Sequence, residues 1–388
     1  MKRLLAIIFA LLLMATMLSG CSPVGSNEKI SIVCTVFPQY DWVFNILGDK
    51  ADDFDVTLLL NSRIDLHNYQ PSVDDIVKIT TCDLFIYIGG ESDGWVDEVI
   101  KDASNKDMMV LNLMEILGDK AKTDEIIEGM EHGHDHDDDD HDHDDHDDHD
   151  DHDDHDDHDD DDHDHDDHDD HDDHDDHDDH DDDDHDHVDH DDHDDHDDHD
   201  DHDDHDDHEG EYDEHVWLSL KNAQVFCTAI ADALSKLDEK NADEYRSNLA
   251  AFNNELSALD EEYKAAVNAA SFDTLLFADR FPFRYLLDDY GISYYAAFIG
   301  CAAETEASFA TIVFLAQKMD ELQLPCVMVT ESSDKSIART VIENTVAKNY
   351  EIYILDAVQS VSSDDVQSGT TYLSIMESNL EVLKEALK

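Results

Sequence analysis

Short apolar runs rich in β-branched and aromatic residues punctuate the first part of the chain: ISIVCTVF, DVTLLL, DLFIYIG and MMVLNLM. They alternate with stretches of helical spacing, a repeat that predicts a parallel sheet covered by helices. The last part repeats the scheme with TLLFAD, ISYYAAF, PCVMVTE and YEIYILD. Between the two lies NADEYRSNLAAFNNELSALDEEYKAAVNAAS, which has no Gly or Pro. Tyr245, Leu249, Phe252, Leu256, Leu259 and Tyr263 recur there at three- and four-residue spacings, the stripe of one long amphipathic helix. Asn241 or Asp243 is placed to cap its start. The predicted fold class is α/β: two α/β lobes, each with its own core, joined by one long linker helix. Such a clamshell has its default ligand site in the cleft between the lobes, and a stiff helical hinge predicts a small closure.

One segment departs from this pattern altogether. From His132 to His208 the chain has 77 residues, of which 26 are His and 49 are Asp, with only Gly133 and Val188 interrupting. Almost without apolar side chains and strongly self-repelling, it cannot bury enough surface to offset the entropy of ordering, so it is expected to be an extended, solvated loop. Of the chain's 28 His, only His67 and His215 lie elsewhere. If the tract handles a metal, those two are the first candidates for a structured site. The tract supplies −49 of the formal net charge of −79, and the remaining −30 is still strongly acidic. Nucleic acid is thereby excluded as a partner and cations are favoured.

The amino terminus reads MKRLLAIIFALLLMATMLSGC, two basic residues and an apolar run ending in Leu18-Ser19-Gly20-Cys21. This is a secretory signal with a lipobox, and the apolar run is short for a bilayer span. Cys21 is the expected lipidation site and the membrane anchor. The domain plan is then a signal at 1–20, a lipid-anchored linker at 21–30, a first lobe at 31–237 interrupted by the loop 131–211, the linker helix at 238–270 and a second lobe at 271–388. The other cysteines, Cys34, Cys82, Cys227, Cys301 and Cys326, lack the close pairs of a zinc ribbon or a redox CxxC. They read as small buried hydrophobes, with a Cys34–Cys82 disulfide left open. GGESDG lacks phosphate-loop spacing and reads as a turn. Pro38, Trp42 and Trp95 fit core packing better than a cleft lining. No GxSxG elbow, HExxH helix or Cys/His dyad appears, so the chain offers no enzymatic nucleophile.

Several ordered segments carry a family resemblance. TVFPQYDWVFNILGD is similar to the first strand and helix of the solute-binding lipoproteins of zinc or manganese ABC importers. DLHNYQPSVDDIVKITTCDLFIYIGGESDGWVDEV resembles their PH-x-Y-x-P segment with the strand and turn that follow, and DEHVWLSLKNA resembles their D-P-H-x-W-L-D-P motif. FRYLLDDYGISYYAAF, TESSDKSIARTVIENT and YLSIMESNLEVLKEAL match the second lobe in order. The resemblance spans nearly all of the chain outside the tract, and an acidic His-rich loop is common in that family.

Carried over by position, the resemblance makes His67 and His215 metal ligands, and neutral imidazole suits Zn²⁺ better than hard cations. The third position departs from the family: RFPFRY places Arg280 where the family has His or Glu, and a guanidinium has no lone pair for a metal. Asp279 or Glu331 is expected to neutralise it, unless Asp279 is itself a ligand. At the fourth position Gln359 and Thr370 stand where relatives have carboxylates, which disfavours Mn²⁺. Zinc is therefore expected, its shell completed by water, Gln359 or a tract histidine.

The resemblance implies a binder that captures zinc as transported ligand and hands it to an ABC permease with its ATPase; a monomer is expected. The tract, including His132, His134, His136, His141, His143 and His208, is expected to gather metal weakly beside the cleft. The alternatives are a surface metal buffer or metal-dependent adhesin, and a manganese or iron carrier on the same fold.

Overall fold

A computed structural model describes residues 29–61, 66–130, 212–300 and 306–388. The signal, most of the 21–30 linker, Cys21, Cys301 and all the tract histidines lie outside the described residues.

The first sheet is built from β1 (Ile30–Cys34), β2 (Phe54–Leu58), β3 (Leu84–Tyr87) and β4 (Met109–Asn112), in the spatial order β2-β1-β3-β4 with every pairing parallel. Parallel pairing requires crossovers. These are supplied by α1 (Phe37–Leu47), α2 (Val73–Thr81) and α3 (Val96–Lys101), and α4 (Leu113–Leu117) follows β4. β3 is buried at all four positions, as expected of a central strand covered on both faces. Local chemistry sets the helix starts. At α2, the Ser72 hydroxyl accepts from the Asp75 N–H (3.2 Å) while the Asp75 carboxylate accepts from the Ser72 N–H (3.0 Å), a reciprocal cap.

Beyond residue 212 come α5 (Leu220–Leu237) and the linker helix α6 (Ala242–Asn268). The stripe read from the sequence is the buried one: Tyr245, Phe252, Leu256, Leu259 and Tyr263 are buried and Leu249 is half-buried. Asn241 precedes the first turn, but its side chain donates to Asp238 Oδ2 (2.7 Å) and caps no helical N–H.

The second sheet comprises β5 (Thr274–Phe281), β6 (Ser293–Ile299), β7 (Cys326–Thr330) and β8 (Glu351–Leu355), ordered β6-β5-β7-β8 and again parallel. Its helices are α7 (Arg284–Tyr290), α8 (Phe309–Leu322), α9 (Ser336–Asn344), α10 (Ser363–Gln367) and α11 (Tyr372–Ala386). Along β5 the strand period of two assigns alternate residues to different cores. Leu275 and Phe277 join one apolar cluster, Leu276 and Ala278 another.

The expectation of separate cores needs correction. One cluster is continuous from β1 through α5 and α6 into β5, α7 and α11, and the second is confined to the other face of the second sheet. The cause is α6, whose apolar stripe packs on α5, α1 and α11 together. Tyr263 adds a hydrogen bond to the Met376 carbonyl at 2.6 Å. Both sheets accordingly belong to one compact unit. Cys34, Cys82, Cys227 and Cys326 are buried free thiols, so no Cys34–Cys82 disulfide forms. Burial pushes the Cys82 thiol up to about 12.

Candidate metal centre

His67 sits in a single 3-10 turn, Leu66–Asn68, anchored by the buried Leu66. A second turn, Glu91–Asp93, follows β3 and is held by Asp93, whose Oδ2 accepts from the Ile88 N–H (3.0 Å) and the Gly89 N–H (2.9 Å). That turn presents Ser92, with its hydroxyl 2.7 Å from His67 Nδ1. The Ser92 N–H donates to Glu214 Oε1 at 2.8 Å, and the other carboxylate oxygen, Oε2, stands 3.6 Å from His67 Nδ1. Glycine is required at position 90 on two counts. Its φ is +107°, and a Cβ there would lie 2.4 Å from Glu214 Oε1.

His215 is fully buried and directly follows Asp213 and Glu214. Asp213 Oδ1 accepts from the His215 backbone N–H (2.8 Å) and lies 2.9 Å from His215 Nδ1. The Asp213 backbone is itself fixed, its N–H donating to the Lys122 carbonyl (2.8 Å) and its carbonyl accepting from the Tyr285 hydroxyl (3.1 Å). On the other side of His215, the 3-10 turn Val216–Leu218 is wholly buried. Trp217 Nε1 donates to the Ala357 carbonyl (2.9 Å) and the Tyr372 hydroxyl donates to the Trp217 carbonyl (2.6 Å), tying the histidine segment to the second sheet's side of the molecule.

Asp213 lies within hydrogen-bond distance of His215 Nδ1 (2.9 Å), while His67 Nδ1 meets the Ser92 hydroxyl (2.7 Å) with the buried Glu214 carboxylate beyond it at 3.6 Å. Asp213 and Glu214, adjacent in the chain, lie against different rings. A carboxylate at Nδ1 favours the tautomer whose Nε2 carries a lone pair, the form a metal needs. His215 Nε2 is buried and has no hydrogen-bond partner among the described residues. The ring centroids are 5.4 Å apart. Two imidazoles on one tetrahedral zinc, with Zn–N of about 2.0–2.1 Å, place their centroids roughly 5 Å apart, so the spacing fits a shared ion.

Burial and the neighbouring polar groups pull the titratable side chains here in opposite directions. Burial raises the Glu214 carboxyl above its ordinary value, against hydrogen bonds from Ser92 that pull it down. For His215, burial is the strongest single influence and disfavours the imidazolium. The Asp213 hydrogen bond and charge, reinforced by Glu214 and Asp124, outweigh it and raise the pKa.

Beside the pair is a cavity of about 160 Å³ lined by Asn68, Arg280, Gly300, Glu331, Ser332 and Gln359 among others. Asn68 follows His67 in the chain. A Cβ on Gly300 would stand 3.1 Å and 3.2 Å from His215 Cε1 and Nδ1, and 2.9 Å from the Phe281 carbonyl. Gln359 is presented by an unusual backbone. Val358, buried and β-branched, has φ +60°, with its N–H held by Asp356 Oδ1 at 2.7 Å. Burial and the neighbouring Glu331 charge push the Asp356 carboxyl upward.

Of the residues singled out in the sequence, His67 and His215 come together, and Arg280, Glu331 and Gln359 share the adjoining cavity wall. Asp279 has another use. Its Oδ1 accepts from the Arg280 backbone N–H (2.8 Å), and its Oδ2 accepts from the Thr330 N–H (3.0 Å) and hydroxyl (2.9 Å), fastening β5 to β7. The register of β5 on β6 shifts between Phe277 and Arg280, a bulge that re-aims the side chains there. Among the described residues no group of three His, Cys, Asp or Glu side chains is placed to hold a metal. Asp213 and Glu214 approach the Nδ1 edges of the rings. Trp42 is core and Trp95 packs against the core, as expected.

Ser92, Asp213, Glu214 and Gly300 were not anticipated. DEH was a usable signal, because it sets two acids directly before one of the two histidines outside the tract. Nothing local marks Ser92 or Gly300.

A sequence profile of the family described as ZnuA, zinc-uptake complex component A, periplasmic, matches residues 32–386. The zinc-binding protein AdcA of Streptococcus pyogenes serotype M6 is 22% identical over 398 residues, covering 99% of this chain and 61% of the relative, so the chain spans less than two thirds of that protein's length. The high-affinity zinc uptake system protein ZnuA of Bacillus subtilis is 24% identical over 387 residues, covering 99% of this chain and 97% of the relative. The crystal structure of the Zn(II)-bound ZnuA-like domain of Streptococcus pneumoniae AdcA superposes with a TM-score of 0.60 at 20% identity, covering 93% of this chain and 99% of that domain. At that identity the likeness speaks for the fold.

Proposed function

Because the chain belongs to the ZnuA family of periplasmic zinc-uptake components, we propose that it is the extracytoplasmic zinc-binding component of an ABC importer, holding Zn²⁺ between His67 and His215 and delivering it to a membrane permease driven by a separate ATPase. The observation that carries this is the pair of carboxylate-backed imidazoles 5.4 Å apart beside a cavity. Neutral nitrogen donors favour zinc over manganese, and the carboxylates near the site support the rings rather than face the ion.

Lipid on Cys21 anchors the protein to the membrane in this reading, and the monomer is the working form. The tract from His132 to His208 gathers cations in its dense negative field and offers weak imidazole–carboxylate sites. Ending seven residues before His215, it is tethered beside the pair at an effective concentration of about millimolar.

The test is zinc affinity measured by chelator competition on a protein lacking residues 132–208, with His67→Ala and His215→Ala. One tight zinc per chain is expected. Each substitution should weaken it by more than the about 10–100-fold that loss of a supporting partner costs. Wild-type affinity in both variants would remove the site from this pair, and exchange of bound zinc by stoichiometric Mn²⁺ would replace the metal.

A further inference from the structure

Both histidines of the pair precede the linker helix in the chain, yet His215 is seated by groups that follow it. One of these is Tyr285, in the first turn of α7 and 2% exposed. Its hydroxyl accepts from the Lys122 N–H (2.8 Å) and donates to the Asp213 carbonyl (3.1 Å). The Asp213 N–H completes the ring of contacts by donating to the Lys122 carbonyl at 2.8 Å. From this geometry, and resting on the zinc reading above, we infer that Tyr285 is a positioning residue for the metal, setting zinc affinity by fixing the aspartate that orients His215.

Three observations support the assignment. The first is how completely Asp213 is held. Lys122 binds its N–H, Tyr285 binds its carbonyl, and its Oδ1 meets both the His215 N–H (2.8 Å) and His215 Nδ1 (2.9 Å). With the peptide groups on both sides pinned, the carboxylate has only its side-chain torsions left, and the contacts with His215 fix those. A carboxylate on Nδ1 orients the ring and leaves Nε2 to ligate, so a rotation of the Asp213 peptide is passed to the ligand. The second is burial. Asp213, His215 and Tyr285 are all buried, so removing the hydroxyl leaves the Asp213 carbonyl without its partner in a segment closed to solvent. Burial also raises the Tyr285 hydroxyl well above the ordinary phenol value, which keeps it protonated and a donor. The third is rigidity. The Tyr285 ring belongs to the same apolar cluster as Phe277, Phe281 and Phe283, and Phe283 stacks on Phe277 with centroids 5.3 Å apart. The hydroxyl is thus delivered by a packed wall of the second lobe, as a precise supporting contact requires. Trp217 and Tyr372 hold the peptide after His215 in a similar way, but Tyr285 acts on the residue that meets the imidazole itself.

Tyr285→Phe keeps the ring and removes one oxygen. If the loosened Asp213 leaves His215 correctly aimed in about one metal-free molecule in ten, apparent zinc affinity falls about tenfold, the lower end of the range for a supporting partner. The comparison variant is Tyr263→Phe, which removes the same kind of buried hydroxyl, bonded to the Met376 carbonyl at 2.6 Å, from the linker helix. Both are made in the full chain. Zinc affinity is read by chelator competition, with free zinc buffered too low to load the tract, and stability by melting of the metal-free protein. Both variants are expected to melt lower than the wild type, while zinc affinity falls about tenfold in Tyr285→Phe and stays within about twofold in Tyr263→Phe. A loss of affinity in Tyr285→Phe no larger than that in Tyr263→Phe overturns this inference and leaves the zinc reading standing. Absence of tight zinc in the wild type overturns both. If Tyr285→Phe does not fold, hydrogen exchange of the wild type decides. The Lys122 amide exchanges only when its bond to the Tyr285 hydroxyl opens, and linkage is reciprocal. Bound zinc should therefore slow exchange at Lys122 and Asp213 more than along α9; slowing that is equal throughout, or absent at those two amides, overturns the assignment.

Discussion

Replacing Glu214 by Gln isolates one charge at the centre of the site. The side chain keeps its shape, and its carbonyl oxygen still accepts the Ser92 N–H now seen at 2.8 Å. What changes is the atom 3.6 Å from His67 Nδ1, from an anionic oxygen to an N–H donor. An N–H there favours the tautomer with Nδ1 as acceptor and Nε2 protonated, which closes the ligating position. Loss of such a supporting partner costs about 10–100-fold in metal affinity, or about 1.4–2.7 kcal/mol. The metal-free fold should respond with the opposite sign. Burial raises the Glu214 carboxyl, so the ionised form costs stability that accumulates as pH rises from the ordinary carboxylate value through the raised one. Glutamine removes that cost. At pH 7, E214Q is expected to melt no lower than the wild type without zinc while binding zinc more weakly, as read by calorimetry and chelator competition on the same preparation. Unchanged affinity refutes the tautomer argument. Weaker binding accompanied by a lower melting temperature of the metal-free protein would mean that Glu214 acts by holding the fold.

For His215 the linkage runs differently: its pKa is raised in the fold, so its protonated form contributes stability to the metal-free protein that is complete below about 6.5 and lost as pH rises through the raised value. Zinc competes with that proton, so affinity should fall as pH drops through the same window; a flat affinity between about pH 8 and pH 5 would contradict it. Trp217→Phe leaves the buried Ala357 carbonyl without its 2.9 Å partner and should cost at least about 1–3 kcal/mol in denaturant unfolding. Deleting residues 132–208 should remove many weak zinc sites and slow loading at scarce zinc while one tight site persists. Unchanged loading kinetics would make the tract a spacer.

What the sequence determined by itself was local and periodic. The strand runs, the helical stripe from Tyr245 to Tyr263 and the α/β alternation follow from side-chain spacing, because each residue's face is set by its neighbours a few positions away. Composition added the two histidines outside the tract, a matter of counting. Tertiary structure decided everything that depends on distant segments meeting. Ser92 and Glu214 are 122 residues apart yet share a hydrogen bond, and no periodicity encodes that contact. Asp279 was legible as an acid near the third ligand position. Its actual use was set by Thr330 on the neighbouring strand and by a bulge that local pattern does not reveal. The cores merged for a similar reason: the stripe on α6 was visible in the sequence, but that α1, α5 and α11 all pack against it is a property of the assembled chain.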